Sequence, residues 1–301
     1  MTSLLVAEWL RFRRRYDLWI VLGGVVLLTA FAYISSATSA AQPVVFAPID
    51  PTAPPEIRAM IEAQNAQIAL EMARLRDRYV FPLSIVTTLE LGSWLFLATA
   101  FVAASWIATE FDWRTIRNVL LFEPNRDRVL AARLVALATV ASGGIVVLLG
   151  LGALLPFAVP VTGSGEPLPV TAVGVAATAG VTWLWAVAFG ALATVAALVT
   201  RSPLLAVVLS AGYTVLEQLV ANLDVWKRLG LDLVPQFFLV SRLNALRVDV
   251  QQAFPLGQPY APLTAEGPHL DPILGLGVLG LWIAGLVLLA RTVFVRADIH
   301  E

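Results

Sequence analysis

What the chain has least of narrows it first. Cysteine is absent, so disulfides and thiolate chemistry are excluded in any compartment. The two histidines, His269 and His300, have no helical partner at metal-ligand spacing, which argues against a zinc site. The only lysine is Lys227, and it follows Trp226. The chain therefore has no phosphate-cradling loop ending in Gly-Lys-Ser/Thr and cannot hydrolyse ATP by that route alone. No G-x-S-x-G, H-E-x-x-H or other nucleophile or metal motif is present. "GLGVLG" at 275 to 280 has dinucleotide-binding spacing, but it lies inside an apolar run with no strand before it and reads as glycines of a membrane helix. Charge is scarce too, at 14% of residues with a net of −1, and this gives no concentrated basic face for a nucleic-acid partner.

What fills the chain is apolar. Of 301 residues 58% are hydrophobic, and the mean hydropathy is +0.80, well beyond a soluble domain. The runs are long enough to span a hydrocarbon core, about 20 residues of helix, and lack the alternation of a membrane barrel. The expectation is an all-α integral membrane protein, one transmembrane domain over 1 to 301 in the lipid bilayer. Six spans are expected at about 18–36, 81–109, 130–158, 170–199, 204–222 and 272–295. The first is preceded by a basic region and resembles a signal peptide, but its length from Leu18 to Ile34 favours an uncleaved span.

An even count places both ends on one side. Arg11, Arg13, Arg14 and Arg15 precede span one, Arg201 joins spans four and five, and Arg291 and Arg296 end span six. The loop "VTGSGEPLP" between spans three and four has no Lys or Arg. By the positive-inside rule both termini are cytoplasmic. Two long segments, 37 to 80 and 223 to 271, then face outside. In the first, Ile57, Ile61, Ile68, Met72, Leu75 and Tyr79 recur at helical spacing, which predicts an amphipathic helix leading into span two. In the second, "LVPQFFLVSRLNALRVDV" suits short helices at the outer interface better than a seventh span.

Within span four, Gly174, Thr178, Thr182, Ala186, Gly190 and Thr194 fall at every fourth position. Small residues so spaced let membrane helices approach closely, in one subunit or across an interface, though an Ala- and Gly-rich chain also produces such runs by composition. Two carboxylates lie inside spans, Glu90 in span two and Glu217 in span five, with Tyr213 near the latter. Intramembrane carboxylates are costly and are candidates for a translocation route. The competing reading is structural, with each accepting hydrogen bonds from neighbours such as Thr87 or Tyr213.

The stretch "ATEFDWRTIRNVLLFEPNRDRVLAARL" between spans two and three gathers charge where a short turn would suffice. Residues 111 to 122 can form a short helix with apolar Phe111, Trp113 and Ile116 and projecting Arg114 and Arg117, stopped by Pro124. Such a helix can receive another protein or lie on anionic lipid. The run E-F-D-W-R-T-I-R, followed by P-N-R-D-R-V-L-A-A-R, resembles the same loop in the ABC-2 type transporter permease family. Glu110, Phe111, Thr115, Arg117, Pro124 and Arg126 stand at the matching positions, while Arg114 stands where the family usually has Gly. "LLVAEWLRFRRRYDLW", with Glu8 and Arg11 to Arg15, is similar to the family's amphipathic N-terminal helix. "FGALATVAALVTRSPLLAVVL" resembles its hairpin of spans four and five, and "FVRADI" its closing motif, with Ala297 in place of a common basic residue.

The resemblance implies a permease subunit of an exporter in a prokaryotic cytoplasmic membrane, pairing with a second permease, identical or paralogous. Two copies of a separate ATP-binding cassette ATPase would carry ATP and Mg, with no cofactor in this chain and no catalytic residue or metal of its own. Residues 110 to 126 would act as the coupling helix and the N-terminal helix would brace it. Two other readings stay open: an ion-coupled carrier or channel using Glu90 or Glu217, and a non-transporting membrane scaffold driven by an ATPase.

Overall fold

The computed structural model describes residues 2–112, 119–121, 123–164, 170–254 and 270–296. Among them six helices are long and apolar enough to cross a membrane, at Leu18–Ala41, Leu83–Thr109, Arg126–Ala158, Ala172–Thr200, Pro203–Arg228 and Pro272–Arg296. They run 24 to 33 residues. With a rise of about 1.5 Å per residue, each exceeds the roughly 30 Å of a hydrocarbon core. Each expected span overlaps one of these helices, with 81–82 and 170–171 preceding the helix starts.

In chain order, α1 is Thr2–Arg13 and α2, Tyr16–Ala41, carries span one. α3 is Pro55–Asp77, and span two is divided into α4, Leu83–Leu91, and α5, Leu95–Asp112. α6, Arg126–Ala158, carries span three and α7, Ala172–Thr200, span four. α8, Pro203–Ala221, carries span five and is followed by the single turn α9, Val225–Arg228. α10 is Leu239–Ala253 and α11, Pro272–Arg296, carries span six. Six crossings bring α1 and Arg296 to one end of the bundle, here the termini end, and the long connections to the other, the loop end.

Helix boundaries follow local chemistry. Asn125 caps α6 by accepting from the Arg128 N–H at 3.1 Å, and Thr171 caps α7 by accepting from the Gly174 N–H at 3.0 Å. Ser202 caps α8 ahead of Pro203, whose missing N–H costs nothing at a first helical position. Span two breaks because Gly92–Trp94 tightens into a 3-10 turn. Glycine there tolerates the change of pitch, and a Cβ on Gly92 would press into the Leu148 side chain.

Spans two and four are largely buried and form the centre, while spans one, three, five and six keep broad apolar faces exposed. The small-residue stripe of span four turns inward. Gly174, Thr178, Ala186, Gly190 and Thr194 are buried and Thr182 is half-buried. A Cβ on Gly190 would stand 2.6 Å from Leu137 and 3.5 Å from Thr99, so the close approach is to spans three and two of the same subunit. Spans two and three meet still more closely. A Cβ on Gly152 would lie 2.6 Å from the Ile85 Cα, and Ser84 Oγ donates to the Gly152 carbonyl at 2.7 Å.

At the loop end α3 forms where its apolar spacing predicts. Leu75 is half-buried and Tyr79 buried, but Ile57 is exposed. Its last turn is fastened to the bundle. Arg76 donates to the Ala40 and Gln42 carbonyls, both at 2.9 Å, and so satisfies the open end of α2. Asp77 accepts from the Ser164 N–H and hydroxyl at 2.6 and 2.7 Å. Tyr33 of span one donates to the Tyr79 carbonyl at 2.8 Å.

α10 is a short helix in the second long connection, where short helices rather than a seventh span are expected. Leu239, Val240, Arg242, Leu243 and Leu246 are buried, and the helix packs one face on spans four, five and six. At 15 residues, about 22 Å of helix, it is too short to cross.

Candidate functional site

Beneath α10 lies a cavity of about 210 Å3 between spans two, four and five. Its position depends on the break in span two, since Glu90 and Ser93 flank Gly92 and both line it. Opposite them stand Thr178 and Thr182 of the small-residue stripe, and α10 supplies Asn244, Arg247 and Gln251. The lining is therefore mixed, with hydroxyl, amide and charged groups over an apolar floor that includes Phe96 and Trp185.

Glu90 is the charged centre, its side chain only 7% exposed. Arg78 Nη2 donates to its Oε2 at 2.5 Å, and Gln251 Nε2 donates to its Oε1 at 2.8 Å. Arg247 stands 4.0 Å from Oε2. A carboxylate this deep is tolerable because a guanidinium and an amide replace its water. Arg247 and Gln251 are one helical turn apart and so present one face of α10 to span two.

Toward the termini end the cavity stops at aromatic rings. Phe96 lies 5.5 Å from Trp185 and 4.7 Å from Phe189, and Trp185 stacks on Phe189 at 5.5 Å with planes 5° apart. Phe189 is fully buried. Polar lining toward the loop end and packed rings toward the termini end give the pocket two chemically distinct halves.

Glu217 sits apart from the cavity and is also buried. Its Oε1 accepts from the Ser241 N–H at 2.8 Å, in the first turn of α10, where a carboxylate satisfies an open N–H and complements the helix dipole. Oε2 makes no hydrogen bond of good geometry among the described residues, and the Tyr213 hydroxyl interacts with this carboxylate. Thr214 and Gln218, on either side of it, line the cavity, whereas Tyr213 packs edge-on to Trp282 with centroids 6.5 Å apart. Of the three sequence-expected route residues, then, only Glu90 faces the cavity.

At the termini end, Glu110 and Phe111 fall in the last turn of α5. Their side chains, like all of Arg114, Thr115 and Arg117, lie outside the described residues. The expected helix over 111 to 122 is seen only in part, helical at 111–112 and 119–121. Pro124 is exposed in the non-helical stretch before α6. Arg126 reaches back to span six, donating to the Val295 carbonyl at 2.6 Å and to that of Phe294 at 3.4 Å. Beside it Asp127 holds Arg291 through two bonds, of 2.8 and 2.9 Å, and buried Arg133 lies 5.8 Å over the Phe294 ring.

In the N-terminal region Arg11, Arg13 and Arg14 are exposed, and the Glu8 side chain lies outside the described residues. Arg15, at the bend between α1 and α2, donates to Ser105 Oγ at 2.8 Å and Thr109 Oγ1 at 3.2 Å. It thereby joins the N-terminal region to the end of span two from which the 110 to 126 connection leaves.

No family model matches the chain, and no curated protein matches it.

Proposed function

We propose that the chain is the membrane subunit of an ATP-driven exporter, similar to the ABC-2 type permeases, with nucleotide chemistry on a separate ATPase seated on residues 110 to 126. The observation that carries the reading is the layout of the bundle. A polar cavity lies at the loop end beside a broken span, an aromatic floor closes it, and the charged connection lies at the opposite end. Interrupted spans beside a polar cavity recur in transporters. The arginine-rich termini end would face the cytoplasm, and both termini with it. The lone lysine, far from any Gly-rich loop, supports an ATPase on another chain.

Arg15 at the start of the segment and Arg126 at its end make it a lever. Force on the connection would pass to span two through Ser105 and Thr109 and to span six through Val295 and Arg291. Closure of two ATPases beneath paired permeases would then move these spans as rigid bodies and alter the cavity. An ion-coupled carrier would need Glu90 open to the ion it carries, whereas here Arg78 and Gln251 engage it.

The test is purification of the tagged chain from its own host in mild detergent, with ATP hydrolysis measured on the product. A stoichiometric partner bearing a phosphate loop is expected, and R117E should reduce both the partner and the hydrolysis at least about tenfold, as loss of a charged interface contact does. A chain that purifies alone and without ATPase activity would overturn the proposal.

A further inference from the structure

A second cavity, of about 410 Å3, lies at the termini end between α1, span one and span three. Its wall is almost wholly apolar. The one hydroxyl in it, Thr139 Oγ1, already donates to the Val135 carbonyl at 2.9 Å. Trp9, Trp19 and Val147 line the cavity and are themselves exposed, so it is an open groove rather than a sealed void. Glycines make it deep. Gly23 on span one and Gly143 on span three face it, and a Cβ on either would meet nothing within 4 Å.

The mouth of the groove has a distinct chemistry. Trp19 Nε1 donates to the Arg13 carbonyl at 3.2 Å, which fixes the end of α1 beside the groove. Arg13 and Arg14 are exposed there, and among the described residues neither guanidinium has an acidic partner. Two indoles with adjacent arginines at the end of an apolar channel match the layering of a bilayer leaflet, where tails give way to aromatic and then phosphate level.

We infer that the groove binds the acyl chain of an anionic phospholipid from the leaflet at the termini end, with its phosphate against Arg13 and Arg14. A tail within the groove would cover apolar wall that α1 leaves open and would fasten α1 to spans one and three. The inference does not depend on the transport reading.

The experiment is native mass spectrometry of the full chain in mild detergent, titrated with palmitoyl-oleoyl phosphatidylglycerol and separately with the matching phosphatidylcholine. Phosphatidylglycerol should be retained preferentially, and R13Q/R14Q should cut that preference about 30-fold, the effect of two arginines near an anionic headgroup. G143L, or G23L from the other wall, should lose retention of both lipids. Either fills open space, and an unchanged helical circular dichroism spectrum confirms its fold. Equal retention of the two lipids by the parent chain would overturn the inference, as would unchanged phosphatidylglycerol retention in both filled variants. Loss of a dimer in G143L with lipid retention intact would assign the groove to a second copy and also overturn it.

Discussion

Glu90 shows how a single residue's environment decides its role. E90Q keeps the amide contact to Gln251 but leaves the Arg78 guanidinium without its charge partner. Breaking a fully buried pair costs roughly 3–5 kcal/mol, and because Arg78 is 19% exposed the cost here is on the order of 2 kcal/mol. Thermal unfolding should show it, and E90Q/R78Q should recover much of the loss, since both charges then go together. No recovery would mean that the pair is not the stabilising unit. A second residue-scale test lies at Gly275, where a Cβ would collide with the fully buried Arg242 guanidinium, which donates to Asp249 Oδ2 at 3.1 Å. G275A should destabilise by about 1–3 kcal/mol, whereas G277A, with nothing within 4 Å of its Cβ, serves as the neutral comparison. The sequence marked Glu90 and Glu217 because carboxylates stand out in apolar runs. Their partners were not legible, since Gln251 is 161 positions from Glu90 and only the fold brings them together. The one-turn spacing of Arg247 and Gln251 was the available signal.

Among the elements, the spans were legible from hydropathy and the small-residue stripe from its period of four, because lipid and close packing act directly on composition. The break in span two was not legible, because Gly92, Ser93 and Trp94 leave the apolar run uninterrupted while changing its pitch. The packing of α10 was not legible for a related reason. Arg242 and Arg247 suggest an interface, yet Arg242 is buried against span six, where Gly275 leaves room for it. The approach of Gly152 to the backbone of span two gives a further prediction. G152A would drive a methyl into the Ile85 backbone, which cannot rotate away as a side chain would, so it should cost about 2–3 kcal/mol. G143A on the same helix meets nothing within 4 Å and should unfold with the parent protein. Equal midpoints for the two variants would contradict the close packing of spans two and three.

For the whole molecule, the account joins two ends. The loop end holds a polar pocket around Glu90, and the termini end holds a charged connection tied to span two by Arg15 and to span six by Arg126 and Asp127. Sequence resemblance pointed to that connection as a docking segment, but its tie to span six was invisible because Arg126 and Val295 lie 169 positions apart. The absence of cysteine makes the decisive measurement direct. T182C places one thiol in the cavity, and its labelling rate with a membrane-impermeant maleimide can be followed in vesicles that retain the natural partners. The account predicts a rate that changes several-fold when ATP is supplied, is frozen by vanadate and loses its ATP response in R117E. A rate indifferent to ATP, or one that follows an imposed proton gradient instead, would contradict it.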